Sequence, residues 1–254
     1  MSYSTIDKPT DYFNTVTYTG SAGGQTISGV GNQPDFIWVK QTGDAGYNHS
    51  LHNSVSGVLK QLISNSTSAE ITNTDTVTST NADGFVLGAD TAGPNANSNN
   101  QDGKNYVAWN WKAGTSFTND ASSTGIGTID SSGSSNQTAG FSIVSYTSNG
   151  SSSQSVAHNL GGVPEMIISK NRDSTSSAYN YWTVYHHSLA TANDTKLKLN
   201  ATEAASTTNE WGDTDPTSTV YSLHTSGDGT TNHSTDKMIS YCFRGIKGYS
   251  KIGS

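Results

Sequence analysis

The sequence has a single cysteine, few charged residues and no long apolar run, and each shortage excludes a class of protein. One thiol, Cys242, can form neither an intramolecular disulfide nor a multi-cysteine zinc site. Only 13% of the residues are charged, and the net charge of −7 argues against a nucleic-acid-binding surface. The chain lacks the roughly 18 consecutive apolar residues of a membrane span, and Met1–Thr10 contains no apolar stretch typical of a signal peptide. We therefore expect a protein without a membrane span that is made in a cytoplasm.

Polarity comes instead from small uncharged residues. The chain of 254 residues contains 39 Ser, 34 Thr, 23 Asn and 26 Gly, which together make up almost half of it. It also contains 12 Tyr, 6 Phe and 5 Trp, more aromatic residues than a disordered polar chain usually has. These aromatic residues predict a folded protein with a polar surface.

The two halves of the chain repeat each other at a spacing that drifts slowly, as small loop insertions and deletions would make it do. Residues 30–40 match residues 160–170, sharing Gly, Pro, an acid, Ile and Lys in register. Phe13–Thr19 matches Phe141–Thr147 in the same way, and His52 is aligned with His186. We infer two homologous halves.

Within each half, apolar residues alternate with polar ones and turn residues recur every few positions, a pattern typical of half-buried antiparallel strands. The predicted fold is all-β, with two tandem homologous antiparallel β-sandwich lobes, jelly-roll-like, and at most one or two short helices. One such helix is predicted over Asn53–Ser64 from the spacing of its apolar residues. The predicted organisation is an N-terminal contact segment at 1–11, a first repeat at 12–113, a Ser/Thr/Gly-rich linker or long loop at 114–139, and a second repeat at 140–254.

Motifs for nucleophilic or phosphate chemistry are absent from the sequence. It contains no P-loop, no Gly-x-Ser-x-Gly and no His-Glu-x-x-His. His186 and His187 are adjacent, but neighbours on a strand point to opposite faces and cannot share one metal ion. His52, at the aligned position, favours a structural role common to both halves. We therefore predict no catalytic residue and no enzyme.

Acidic residues leave two alternatives open. The pairs Asp213 with Asp215 and Glu203 with Glu210 could serve a sugar hydrolase, although Asp213–Pro216 also reads as ordinary turn chemistry. No cofactor is predicted, apart from a possible structural Ca²⁺ ion, since carboxylates in Asn- and Asp-rich loops suit calcium. Its candidate ligands are Asp83, Asp90, Asp102 and Asp228.

Aromatic residues suggest a sugar-stacking platform, because aromatic faces and short polar side chains suit carbohydrates. Its candidate members are Tyr179, Tyr181, Trp182 and Trp211. The alternative is that these rings belong to the core of a sheet. Separately, Ile6, Pro9 and Tyr12 are candidate assembly contacts in the N-terminal segment.

Several longer phrases resemble a family of uncharacterised proteins encoded mainly by tailed phages of marine bacteria. They lie at residues 6–13, 27–40, 106–114, 138–144, 241–244 and 248–251. Such proteins are commonly described as tail-fibre or other virion structural proteins without assigned catalytic residues. The resemblance implies a non-enzymatic protein that is made in the host bacterial cytoplasm and carried on the virion surface.

The role implied is host recognition by a tail fibre or decoration of the phage head. The expected partners are other virion proteins, further copies of the chain in a homo-oligomer, and a host surface glycan or protein. The alternative function is a carbohydrate-binding or sugar-depolymerising adhesin module.

Overall fold

The computed structural model describes residues 5–91, 98–173, 180–225 and 231–253. The chain divides into two compact units. The N-lobe consists of Lys8–Asn65 and Glu70–Ala113, and the C-lobe consists of Gly114–Ser254 with Met1–Asp7 and Ser66–Ala69. Both lobes are built almost entirely of β-strands.

In the N-lobe, the part of the chain that the structure describes forms a 3-10 turn at Pro9–Asp11 and then nine strands. They are β1 (Phe13–Thr19), β2 (Gln25–Ile27), β3 (Phe36–Gln41), β4 (His49–Asn53), β5 (Lys60–Ile63), β6 (Ile71–Thr72), β7 (Val77–Asn81), β8 (Gly84–Leu87) and β9 (Asn105–Trp111). The main sheet has the order β1-β9-β3-β4-β5-β6, and a smaller sheet has the order β2-β8-β7. All neighbouring strands are antiparallel.

The described residues of the C-lobe form ten strands and one helix, α1 (Ala121–Thr124). Its strands are β10 (Thr115–Asn119), β11 (Ser131–Asn136), β12 (Phe141–Thr147), β13 (Gln154–Ala157), β14 (Met166–Asn171), β15 (Thr183–His186), β16 (Thr195–Lys198), β17 (Ser206–Thr207), β18 (Val220–Leu223) and β19 (Lys237–Phe243). The main sheet has the order β10-β11-β12-β19-β14-β15-β16-β17, and β13 pairs with β18.

The two lobes have the same strand order. The run β12-β19-β14-β15-β16-β17 repeats β1-β9-β3-β4-β5-β6, and β13-β18 repeats β2-β8. The registers agree as well, since Trp111 lies opposite both Phe13 and Phe36, and Phe243 lies opposite both Phe141 and Met166. The predicted all-β fold of two antiparallel sandwich lobes is confirmed.

The acid that follows proline in each half makes the same contacts in each lobe. The backbone N–H of Asp35 donates to Trp111 O over 2.8 Å, and the N–H of Glu165 donates to Phe243 O over 2.8 Å. The carboxylate of Asp35 accepts a hydrogen bond from the N–H of Ala113, and that of Glu165 accepts one from the N–H of Gly245, both over 2.9 Å. These acids therefore fasten the start of one central strand to the end of its neighbour.

A separate apolar core lies between the two sheets of each lobe. In the N-lobe, Val39 and Ala108 of the main sheet pack with Phe85 and Leu87 of the smaller sheet. In the C-lobe, a larger cluster combines residues of both sheets: Ile129, Val144, Tyr146, Val156, Leu160, Ile167, Tyr185, Trp211, Tyr221, Leu223, Met238 and Cys242. Burial of these side chains is the main favourable contribution to folding.

The helix predicted over Asn53–Ser64 is wrong. The segment forms the end of β4, a turn and β5. The side chain of Asn53 accepts a hydrogen bond from the N–H of Ser56, and Gly57 has a φ of 97°, a left-handed conformation that ends any helical path. Of its apolar residues, Val55, Val58 and Leu59 lie in the turn and Leu62 and Ile63 in β5, so their spacing marks no helical face.

Residues 114–139, predicted as a linker or long loop, contain β10, α1 and β11. The hairpin that β10 and β11 form pairs with β12 and widens the main sheet of the C-lobe. Gly133 of β11 permits this pairing, because a β-carbon there would collide with Ile143 O and lie 2.8 Å from the ring of Phe117. Among the described residues, no helix has the length and apolarity to cross a membrane.

Candidate functional site

The histidine alignment drawn from the sequence is wrong by one residue. His52 lies opposite Ile37, and the residue opposite the equivalent Ile167 is Tyr185. His186 therefore corresponds to Asn53, so the buried His52 has no histidine counterpart in the C-lobe.

His52 belongs to a fully buried polar network that also contains a serine. Nδ1 of His52 lies 2.8 Å from Val58 O, to which it must donate, and Nε2 lies 3.0 Å from Ser50 Oγ. Gln61 and Asn99 donate to the same Oγ over 2.6 Å and 3.1 Å. Burial lowers the pKa of His52 to about 4 and so keeps the imidazole neutral, although the hydrogen bond to Val58 O acts in the opposite direction.

A Ser–His contact is also the geometry of an activated nucleophile, but this one has no route to a substrate. Both Ser50 and His52 are 0% exposed. The group on Nδ1 is a backbone carbonyl, whereas catalytic triads use a carboxylate there to stabilise the imidazolium. The arrangement stabilises the interior of the N-lobe and supports no nucleophilic chemistry.

The C-lobe contains its own neutral histidine. Nδ1 of His158 accepts a hydrogen bond from the N–H of Leu160 over 3.1 Å, and Nε2 faces Thr217 O at 3.2 Å. Burial lowers the pKa of His158 to about 4. Each lobe therefore contains one histidine that is stable only without charge.

His186 and His187 do not point to opposite sides as predicted. Their rings lie 5.2 Å apart and are inclined by 30°, because His187 follows the last residue of β15 and escapes the strand alternation. Nε2 of His187 lies 3.8 Å from a carboxylate oxygen of Glu165. Within the described residues, no group of three or more His, Cys, Asp or Glu side chains could hold a metal ion.

The acidic pairs considered for sugar hydrolysis are used in other ways. Glu210 is fully buried and forms an ion pair with Lys196 and a hydrogen bond with Thr208, whereas Glu203 pairs with Lys198 at the surface over 2.7 Å. Asp213 is exposed. Its pKa is raised by desolvation, the larger cause, and by repulsion from Asp194. These contacts account for Glu203 and Glu210 as structural partners.

The calcium candidates that lie within the described residues do not form a cluster. Asp83 accepts hydrogen bonds from the N–H groups of Gly29 and Gly31 over 2.9 Å and 2.8 Å, and Asp90 accepts one from the N–H of Asn100 over 3.0 Å. These carboxylates close loops. Asp102 is exposed, and Asp228 lies outside the described residues.

The sugar-stacking platform proposed from the sequence is wrong for its two tryptophans. Trp182 is 0% exposed and Trp211 is 1% exposed, so neither ring face can reach a sugar. Trp211 packs edge-to-face on Tyr185 in the core. The half-buried ring of Tyr181 is covered by the ammonium of Lys198 at 3.8 Å, and Tyr179 lies outside the described residues.

The predicted N-terminal contacts have different environments. Ile6 is buried within the chain, whereas Pro9 is exposed at the start of the 3-10 turn. Tyr12 is half-buried and lines a cavity of about 450 Å³ together with Asp11, Asn32 and Lys112. Only Pro9 and Tyr12 therefore remain accessible to a partner.

The sequence gives no sign that Lys170 is buried. Lys170 of β14 is 0% exposed, and its ammonium donates to Asn180 O over 2.7 Å. Burial lowers the pKa of Lys170 to about 7. The equivalent Lys40 of β3 is half-buried and donates to Tyr47 O over 2.9 Å. No residue pattern distinguishes the two lysines, because burial depends on the packing around each strand.

An open cavity of about 250 Å³ in the C-lobe is a candidate for a ligand site. Its lining combines the ring of Phe117, the exposed Ile126 and the side chains of Asn119, Gln137 and Asn159, without a charged residue. Gln137 holds Asn159 only through long contacts of 3.3 Å and 3.4 Å. Amides beside an aromatic ring suit a neutral, hydroxyl-rich ligand such as a sugar.

A model of one protein family matches residues 8–254, which is nearly the whole chain. The chain belongs to the family DUF7483. The family is described as a domain of unknown function. No curated protein and no solved structure matches the chain. The match spans both lobes.

Proposed function

We propose that this chain is a non-enzymatic structural protein on the surface of a tailed-phage virion, where it serves in tail-fibre host recognition or in head decoration. The observation that carries the proposal is that a serine–histidine pair and a lysine–glutamate pair, both of types that enzymes use in catalysis, lie in the interiors of the lobes. Ser50, His52, Lys196 and Glu210 are all buried and bonded to one another or to backbone groups. Such an interior suits a stable scaffold.

The phage setting is supported by the phrases that resemble marine-phage proteins and by a polar, weakly charged composition. The test is location. Antibodies against the chain are applied to purified virions and viewed by electron microscopy, with virions from a deletion strain as the control. We expect labelling confined to the tail fibres or to the head surface. A chain that remains in the lysate and is absent from purified virions would refute the proposal.

Carbohydrate binding is a second candidate, and the cavity beside Phe117 favours it. Neutral monosaccharides are titrated into the labelled protein and followed by NMR, comparing the wild type with Phe117→Ala. We expect backbone signals around Asn119 and Asn159 to shift in the wild type only. Tyr12→Ala, outside this cavity, is the control that should bind as the wild type does. Unchanged signals across a panel of sugars would remove this candidate.

A further inference from the structure

One edge of the main N-lobe sheet is formed by β1, whose outer side pairs with no other strand of the described residues. The N–H of Lys112 donates to Tyr12 O and the N–H of Gly20 donates to Lys104 O, both over 2.8 Å. Because antiparallel hydrogen bonds alternate along a strand, the even residues of β1 bond to β9 and the odd residues face outward. The outward N–H and C=O groups therefore belong to Phe13, Thr15, Thr17 and Thr19.

The C-lobe covers the same edge with its own chain. There the N–H of Arg244 donates to Gly140 O and the N–H of Ser148 donates to Asp236 O, both over 2.9 Å, so β12 has the same alternation as β1. The outward residues of β12, which include Ile143 and Ser145, pair with β11. In the C-lobe, this edge is therefore occupied by an uncharged strand that runs antiparallel to it.

Strand β1 lacks most of the devices that keep an edge from pairing. It is seven residues long, carries no charge and no proline, and pairs with β9 without a bulge. The other outer strands of the main sheets are shorter, with two residues in β6 and β17 and five in β10. Two of its outward backbone groups form local side-chain hydrogen bonds, since the N–H of Thr15 donates to Asn14 Oδ1 over 2.9 Å and Thr19 O accepts from Gln25 Nε2 over 3.1 Å.

We propose that β1 pairs with β1 of a second copy of this chain across a two-fold axis, which makes one continuous sheet from two N-lobes. Two-fold symmetry makes the paired strands antiparallel, the polarity that β11 adopts on β12. Centred on Val16, the pairing sets Thr15 of one copy opposite Thr17 of the other. These side chains are exposed and uncharged, so self-pairing brings no like charges together and creates favourable Thr–Thr contacts.

The dimer does not depend on a virion role, so its test stands apart from the location experiment. The full chain is examined by sedimentation velocity from low to high micromolar concentration, as wild type and as Thr17→Pro. Proline at position 17 removes an outward N–H and leaves the bonds to β9 in place. We expect a concentration-dependent dimer whose dissociation constant rises roughly twenty-five-fold in the variant, since two hydrogen bonds worth roughly a factor of five each are lost per dimer.

Thr17→Val is the matched control, because it keeps the N–H and the branched shape and should dimerise as the wild type does. Thr17→Lys provides a second disrupting variant should the proline variant fail to fold, since it places two lysines near the axis. Hydrogen exchange gives a direct readout, and we expect the amide of Thr17 to become protected as the concentration rises. A wild type that stays monomeric throughout, or a dimer that Thr17→Pro and Thr17→Lys leave intact, would overturn the proposal.

Discussion

The N-lobe and the C-lobe share a strand order, yet they fill the same interior position with different chemistry. Gln61 of β5 lies opposite His52, and the equivalent ladder position in the C-lobe holds Lys196 of β16. Gln61 donates to Ser50 and accepts from Asn73 in a neutral network, whereas Lys196 forms a buried ion pair with Glu210. The apolar pattern therefore determines the sandwich fold. The polar residue at this interior position can differ between the lobes when it keeps a bonding partner.

The largest effect is expected from breaking the buried ion pair of the C-lobe. Glu210→Gln leaves the Lys196 ammonium buried without a carboxylate, and we expect a loss of about 3–5 kcal/mol in the free energy of unfolding. The measurement is urea denaturation followed by circular dichroism and fluorescence.

The N-lobe indicates how to rescue that loss. The double variant Lys196→Gln with Glu210→Gln imitates the neutral amides of the N-lobe, so it should be more stable than Glu210→Gln alone. If the single variant unfolds at the same urea concentration as the wild type, the ion pair contributes nothing and the contrast between the lobes is one of composition only.

The two lobes also show which parts of the structure can be predicted from the sequence. Phe13–Thr19 and Phe141–Thr147 were matched correctly, because large apolar residues recur there at strand spacing. Strand β11 (Ser131–Asn136) has no apolar residue, so no alternation marks it, and only its pairing with β12 makes it a strand. The site residues were less predictable, since burial of Trp182 and Trp211 depends on packing between elements that the sequence does not reveal.

The second prediction concerns a feature that both lobes share, a buried and neutral histidine. The pKa values of His52 and His158 are lowered by burial from 6.5 to about 4, so both side chains bind protons more readily in the unfolded chain. Above pH 6.5 both histidines are neutral in the folded and the unfolded chain, and they cost the folded protein no stability. As the pH falls from 6.5 to 4 the unfolded chain binds protons at these side chains, so the folded protein loses stability. Each shift corresponds to about 3 kcal/mol.

The free energy of unfolding measured between pH 7 and pH 4 tests this. We expect it to fall less steeply in His52→Gln and in His158→Gln than in the wild type, each variant removing the share of its own lobe. Because slopes are compared, any packing cost of the substitutions cancels. Identical slopes in all three proteins would mean that neither histidine is held neutral.

The smallest expected effect concerns the edge that distinguishes the lobes. Gly133→Ala places a methyl group against Ile143 O and the ring of Phe117, and overpacking of this kind costs about 1–3 kcal/mol. Gly46→Ala is the matched control, because its β-carbon would meet no atom within 4 Å, and we expect little change there.

Hydrogen exchange tests whether the glycine keeps β11 paired with β12. If β11 protects β12, the amides of Ile143 and Ser145 should exchange faster in Gly133→Ala and approach the rates of the equivalent Thr15 and Thr17 in the monomer. Unchanged protection would mean that the hairpin tolerates the methyl group and that the covered edge does not depend on this glycine.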